Sequence, residues 1–315
     1  MSFDTFIDQA WDDHADDPAA VADRIAAQAT ALLTEPAQVP RLANLAHHVW
    51  GQHLGLWSPG IAFQQGLAES AHTRADANNV ATVERYIHSL GLAGGLSDAR
   101  PGMAPSERVR ITALAAVSLA EHNSARSTAL MIEAEQDADH AGLPDTDPAI
   151  RTLAVSCNNL AVTLQDLPQR SAGQALLMVQ AAQAARRHWA RAGTWLEVER
   201  AEYRLSHCHR VAGDATQAAA HAQGCLRIVT ENNAPPLEHF FGWEAAALAA
   251  DALAALDLAD TADRAKALAA RQSMHHWFGQ LASDDQAWCR ATLDRVALIP
   301  LTAPTPSTPP STTPS

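Results

Sequence analysis

Fifteen histidines stand in this 315-residue chain, and imidazole is the side chain best suited to hold a transition metal or to move a proton near neutral pH. Three groups are dense enough to examine: His47–His48 with His53, His207 with His209, and His275–His276. Metal ligands that share one face of an α-helix stand three or four residues apart, as in a His-Glu-x-x-His zinc helix, whereas adjacent and i,i+2 residues point in different directions. On that spacing no metal site and no cofactor are expected. A Gly-rich phosphate loop ending in Lys and a Gly-x-Ser-x-Gly elbow are both absent from the sequence. Gly91–Gly95 lacks the preceding strand that a dinucleotide fingerprint requires. No enzymatic activity is expected, and a metal-dependent enzyme using the histidines is the least favoured of the readings.

A different chemistry lies between residues 200 and 210. Arg200, Tyr203, Arg204 and His207 recur at three and four residues and so share one helix face, beside a packing stripe of Leu205, Cys208 and Ala212. Guanidinium groups on a common face suit a carboxylate, although Glu197, Glu199 and Glu202 stand close enough to neutralise them. The adjacent amides Asn158 and Asn159 can hold a peptide backbone through hydrogen bonds.

The net charge of −13, with Lys266 the single lysine, leaves no clustered basic surface for phosphate neutralisation, so nucleic acid is not an expected partner. Cys157, Cys208, Cys225 and Cys289 lie on or beside apolar stripes with no Cys-x-x-Cys pair, as small core residues of a reducing compartment do. Residues 1–17 carry six aspartates and no Lys or Arg, unlike a secretory signal. No uncharged apolar run approaches the roughly 20 residues that cross a bilayer. A cytoplasmic protein without a membrane segment is expected.

These residues must be positioned by helices. Hydrophobic residues make up 47% of the chain but aromatics only 5%, the excess being Ala and Leu, which favour close-packed helices. No stretch alternates β-branched and polar residues long enough to form a strand. The apolar periodicity predicts an acidic N-terminal cap of two short helices, Phe3–Trp11 and Val21–Leu33. Antiparallel hairpins are predicted at about 39–73, 106–140, 146–192, 194–232 and 237–281, with a capping helix over Gln286–Ile299. Asn78–Leu92 reads as an unpaired or irregularly paired helix beside a mobile Gly/Pro-rich loop, Gly94–Pro105. Residues 300–315, almost wholly Pro, Thr and Ser, read as a disordered tail. The expected organisation is a single domain over 1–299.

The hairpins resemble the tetratricopeptide repeat family. Leu205–Ser206, Ala218, Ala222 and Cys225 fit its spacing. Asn158–Asn159–Leu160–Ala161, followed by Ala175, Val179 and Ala182, is similar to the repeats of kinesin-light-chain-type members. Ala250, Leu253, Ala262 and Ala269 are a weaker copy. Ala161, Ser206 and Ala250 give steps of 45 and 44 residues, longer than the family's repeat of about 34. The resemblance implies an all-α solenoid whose concave groove binds a protein or peptide. It assigns the groove to Asn158, Asn159, Gln165, Arg200, Tyr203, Arg204, His207 and Arg210. The partner implied by those residues is a segment bearing acidic side chains or a free carboxylate. A peptide or small-molecule sensor within a regulatory system is the alternative.

Overall fold

The computed structural model describes residues 1–255 and 261–297. The predicted tail over 300–315, and the predicted helix ends at Leu256 and Ile299, lie outside the described residues. Contacts cluster into two compact units, Met1–Ala212 and Gly213–Ser315, each taken by itself here. The division falls at Gly213, which has a φ of +85°.

The first unit opens with α1 (Phe3–Asp13) and α2 (Pro18–Arg24), the latter running on through a π turn, Ile25–Ala29, and a 3₁₀ turn, Thr30–Leu32. Asp17 caps α2 by accepting from the Ala20 N–H at 3.0 Å, and Pro18 occupies the first helical position, where its missing N–H costs nothing. The chain continues through α3 (Val39–His47), a π segment (His48–His53), α4 (Trp57–Ala68), α5 (Ala71–Arg74) and α6 (Ala77–Gly94). It then forms α7 (Pro105–Ser118), α8 (Ser124–His140), α9 (Pro148–Asp166), α10 (Ala172–Ala192) and α11 (Trp195–Val211). Reciprocal capping boxes, Ser171 with Gln174 and Thr194 with Glu197, fix the starts of α10 and α11.

Three helix pairs dominate this unit: α4 with α6, α7 with α8, and α9 with α10. In addition α6 packs on α7, α7 on α9, and α9 on α11. The stripe expected on α9 is buried throughout, with Leu153, Cys157, Leu160, Ala161 and Leu164 at most 2% exposed, and it meets Leu177, Met178 and Ala181 of α10. Each such leucine contributes about 1.5–3 kcal/mol by leaving water.

Helix α6, expected to be unpaired or irregularly paired, packs on α4 with α5 intervening in the chain, and it also meets α3 and α7. The segment after it is tied down. Arg100 donates to Asp98 at 2.8 Å, to Glu133 of α8 at 2.7 Å and to the Thr112 hydroxyl of α7 at 3.2 Å. The Arg100 side-chain hydrogen bond, against the effect of burial and with help from the Arg100 N–H and charge, lowers the Asp98 pKa to about 2. A Gly/Pro-rich composition signals a break in helix, and here one arginine anchors the break.

The second unit contains α12 (Ala215–Glu231), α13 (Pro236–Ala255), α14 (Thr261–Phe278) and α15 (Ser283–Ala297). The predicted hairpin at 237–281 corresponds to α13 packed on α14, with α12 against α13 and α15 against both α13 and α14. Its core gathers Phe240, Met274, Phe278, Leu293 and Val296. Arg271 of α14 holds Asp251 of α13 through two bonds of 2.7–2.8 Å. Among the described residues there is no strand, and no helix is long and apolar enough to cross a membrane.

Candidate functional site

The residues of the groove predicted from the sequence lie on α9 and α11. Asn158 and Asn159 lie beside each other on α9, Asn158 Nδ2 donating to Asn159 Oδ1 at 3.4 Å. Gln165, two turns further along, accepts from Arg204 Nη1 of α11 at 3.0 Å. The Tyr203 and His207 rings pack at 4.4 Å. Arg200 is exposed, Tyr203, Arg204 and Arg210 are half-buried, and His207 is buried. Glu202 is engaged by Arg186 of α10 at 2.8 Å. The structure therefore joins Gln165 to Arg204 and Tyr203 to His207, and it places Asn159 in a separate concavity.

That concavity has a volume of about 390 Å³ and draws on α3, the π segment, α6, α7 and α9. Its polar wall comprises Asn44, Arg85, Tyr86, Arg110, Arg151 and Asn159, and its apolar wall includes Leu114 and Val155. No carboxylate is among the lining residues. Just behind the lining, Glu107 accepts from Arg85 at 2.5 and 3.1 Å and from Arg110 at 3.3 Å, so it offsets one of the three guanidinium charges. The Arg110 Nε–H is buried without a protein acceptor. Burial, and then the neighbouring Arg85, hold the Arg110 guanidinium below its usual range, opposed by Glu107, Asp147 and Tyr86. Burial likewise raises the Tyr86 phenol, opposed by Arg85 and Arg110. Arg151 stands at the mouth with its guanidinium 5.0 Å over the Trp189 ring.

His47 is buried at the edge of the same concavity. Its Nε2 lies 3.0 Å from the Ser89 hydroxyl and 3.5 Å from that of Ser118, and its ring packs against Tyr86 at 4.7 Å. Burial, and then His48, lower its pKa to about 3, so the imidazole is neutral.

The next residue faces the other way. His48 Nε2 is 3.0 Å from His53 Nε2, and His14, which follows α1, brings its ring centroid to 4.9 Å from His48 and 5.1 Å from His53. Each of the three rings offers a nitrogen within 4.8 Å of those offered by the other two. The three- and four-residue spacing of an α-helix gives no sign of this group. His48 and His53 are five residues apart on a π segment, where the Leu54 N–H reaches back five residues to the Val49 carbonyl at 3.1 Å. Gly51 permits that geometry: a Cβ there would sit 2.9 Å from Leu90 Cδ2 and 3.0 Å from Ser118 Oγ. His14 had no local signal, being 34 residues away in the chain. Burial first, then His53 and His14, push His48 down to about 3, against a hydrogen bond with the Gln52 side chain. His53 is lowered by burial and by His14 and His122.

The pocket arginines were also missed. Arg85, Arg110 and Arg151 are single basic residues on three different helices, and only the packing of α6 on α7 and α7 on α9 brings them together. Compared with protein-family models, with curated proteins and with solved structures, the chain matches none.

Proposed function

We propose that the protein is a binding module whose first unit takes an extended protein or peptide segment by a carboxylate, at the concavity lined by Arg85, Arg110, Arg151 and Asn159. The observation that carries this reading is electrostatic. In a chain of net charge −13, three arginines line one recess that has no acid in its wall. A carboxylate entering there meets planar donors suited to bidentate contact, and Asn159 with Asn44 offers amides for the adjoining backbone. The packing of α7 on α9 and α9 on α11 supports a tetratricopeptide-like stack of first helices, with Arg200, Tyr203, Arg204, His207 and Arg210 extending the basic wall along α11. On this reading the protein is an adaptor without enzymatic activity.

The test is an array of acidic peptides with free C-termini, displayed beside amidated and Gln/Asn-substituted versions and probed with labelled full-length protein. Carboxylate-bearing peptides are expected to be retained selectively. A desolvated charged hydrogen bond contributes about 1.5–3 kcal/mol, so Arg110→Ala or Arg151→Ala should weaken binding by about ten- to a hundredfold. Equal retention of the neutral versions, or unchanged affinity in both variants with helicity intact, overturns the proposal.

A further inference from the structure

We propose that His14, His48 and His53 form a site for one divalent transition-metal ion of the zinc class, with a coordination position left open to solvent. The site is separate from the carboxylate pocket and does not depend on its assignment.

The donor set is chemically suited. Neutral imidazole nitrogens are ligands for zinc and its first-row neighbours, and three of them with one open position is a recurring arrangement for zinc. In a tetrahedral site with metal–nitrogen bonds of about 2.0–2.1 Å, ligand nitrogens stand about 3.3 Å apart. His48 Nε2 and His53 Nε2 already lie 3.0 Å apart, and the third nitrogen is within 4.8 Å of both. Closing the set requires a shift of the His14 ring on the order of 1 Å.

Orientation supports the same conclusion. His14 Nδ1 lies 2.5 Å from the Trp11 carbonyl oxygen. The carbonyl can only accept, so Nδ1 carries the proton and donates, and the lone pair falls on Nε2. A ligand histidine held by a backbone carbonyl through its other nitrogen is the usual outer support of a metal site. The Trp11 ring packs at 5.0 Å from both His14 and His48, giving the cluster an apolar flank. Metal-free, the facing Nε2 atoms of His48 and His53 can share only one proton between two lone pairs, and His14 adds a third nitrogen with no proton to give them. A cation satisfies all three.

The experiment uses tag-free full-length protein, stripped with a chelator, dialysed and titrated with Co²⁺ as a spectroscopic stand-in for Zn²⁺. Saturation at one equivalent is expected, with visible ligand-field bands of low-coordinate cobalt that Zn²⁺ bleaches. His14→Ala and His53→Ala should each weaken the site at least about tenfold, while the double variant His275→Ala/His276→Ala should bind as the wild type does. Zn²⁺ should raise the melting temperature of the wild type and not that of His14→Ala. Because loss of an imidazole packed on Trp11 can itself disturb the fold, His14→Cys serves as the second variant: it keeps a metal ligand and should retain binding, with the charge-transfer absorption of a cobalt–thiolate bond. No saturable Co²⁺ binding by the wild type overturns the proposal, as does binding that survives unchanged in both His14→Ala and His53→Ala.

Discussion

Arg85 and Glu107 meet through two hydrogen bonds, Nε to Oε1 at 2.5 Å and Nη2 to Oε2 at 3.1 Å, and so join α6 to α7 behind the wall of the carboxylate pocket. The Arg85 side chain is only 8% exposed, whereas Glu107 keeps 31% of its surface. Removing one partner of a buried pair leaves the other charged and unsatisfied. Glu107→Ala should therefore destabilise the fold by about 2–3 kcal/mol, below the roughly 3–5 kcal/mol of a fully buried pair because Glu107 is partly hydrated. The same change removes a negative charge that offsets Arg85 and Arg110. Carboxylate binding should hold or tighten while the denaturation midpoint falls, and parallel urea melts and peptide titrations would read the two effects separately.

Gly51→Ala is expected to cost about 1–3 kcal/mol by overpacking. The new methyl would meet Leu90 and Ser118, both fully buried, and neither has space to retreat. Chemical denaturation measures the cost. The Co²⁺ titration should report a weakened site in this variant, because the π segment that carries His48 and His53 would have to move.

Arg100→Ala should release the segment between α6 and α7. Its bonds to Asp98, Glu133 and Thr112 anchor a stretch with little apolar burial of its own. Limited proteolysis should cut the variant within residues 95–104 well before the wild type, and the helices that follow should melt at nearly the same temperature. Wild-type cleavage at the same rate would show that the arginine does not hold the loop.

The thiols give stability an alkaline limit. Burial pushes the Cys208 thiol up to about 12 and raises Cys157 as well. A folded-state pKa above the unfolded value means that the unfolded chain loses its proton first. The contribution is therefore fully present below the ordinary thiol range near pH 8.5–9 and is lost as pH climbs toward the folded value. Each thiol should cost up to about 1.4 kcal/mol per pH unit in that window. Denaturation at pH 8 and pH 10 should show a steeper loss in the wild type than in the Cys157→Ala/Cys208→Ala variant, and a disulfide reagent should find both thiols slow to react until the protein unfolds.

Much of the architecture was legible because helix signals are local. The Asp17–Pro18 helix start and the stripe from Leu153 to Leu164 are each complete within a few residues, and each appears in the structure where the sequence puts it. The pairing of α6 was not legible, since a stripe shows that a face is buried without showing what covers it. The sites were least legible. Arg110 and Arg151 belong to different hairpins, and nothing near either one signals the other. For the histidines the obstacle was period: a face was sought at three and four residues on a segment that repeats at five.

That period of five sorts the segment into two rows. His47 and Gln52 line the pocket, while the residues that follow each of them, His48 and His53, turn toward His14. A π segment amounts to an α-helix carrying one surplus residue. Deleting a single residue between His48 and His53 would remove that surplus and let ordinary helix take over, bringing each pair to a spacing of four residues. Both rows would keep their faces at the tighter spacing, so this short piece of chain should tolerate the loss of one residue where an ordinary helix, turned by about 100° per residue, would not.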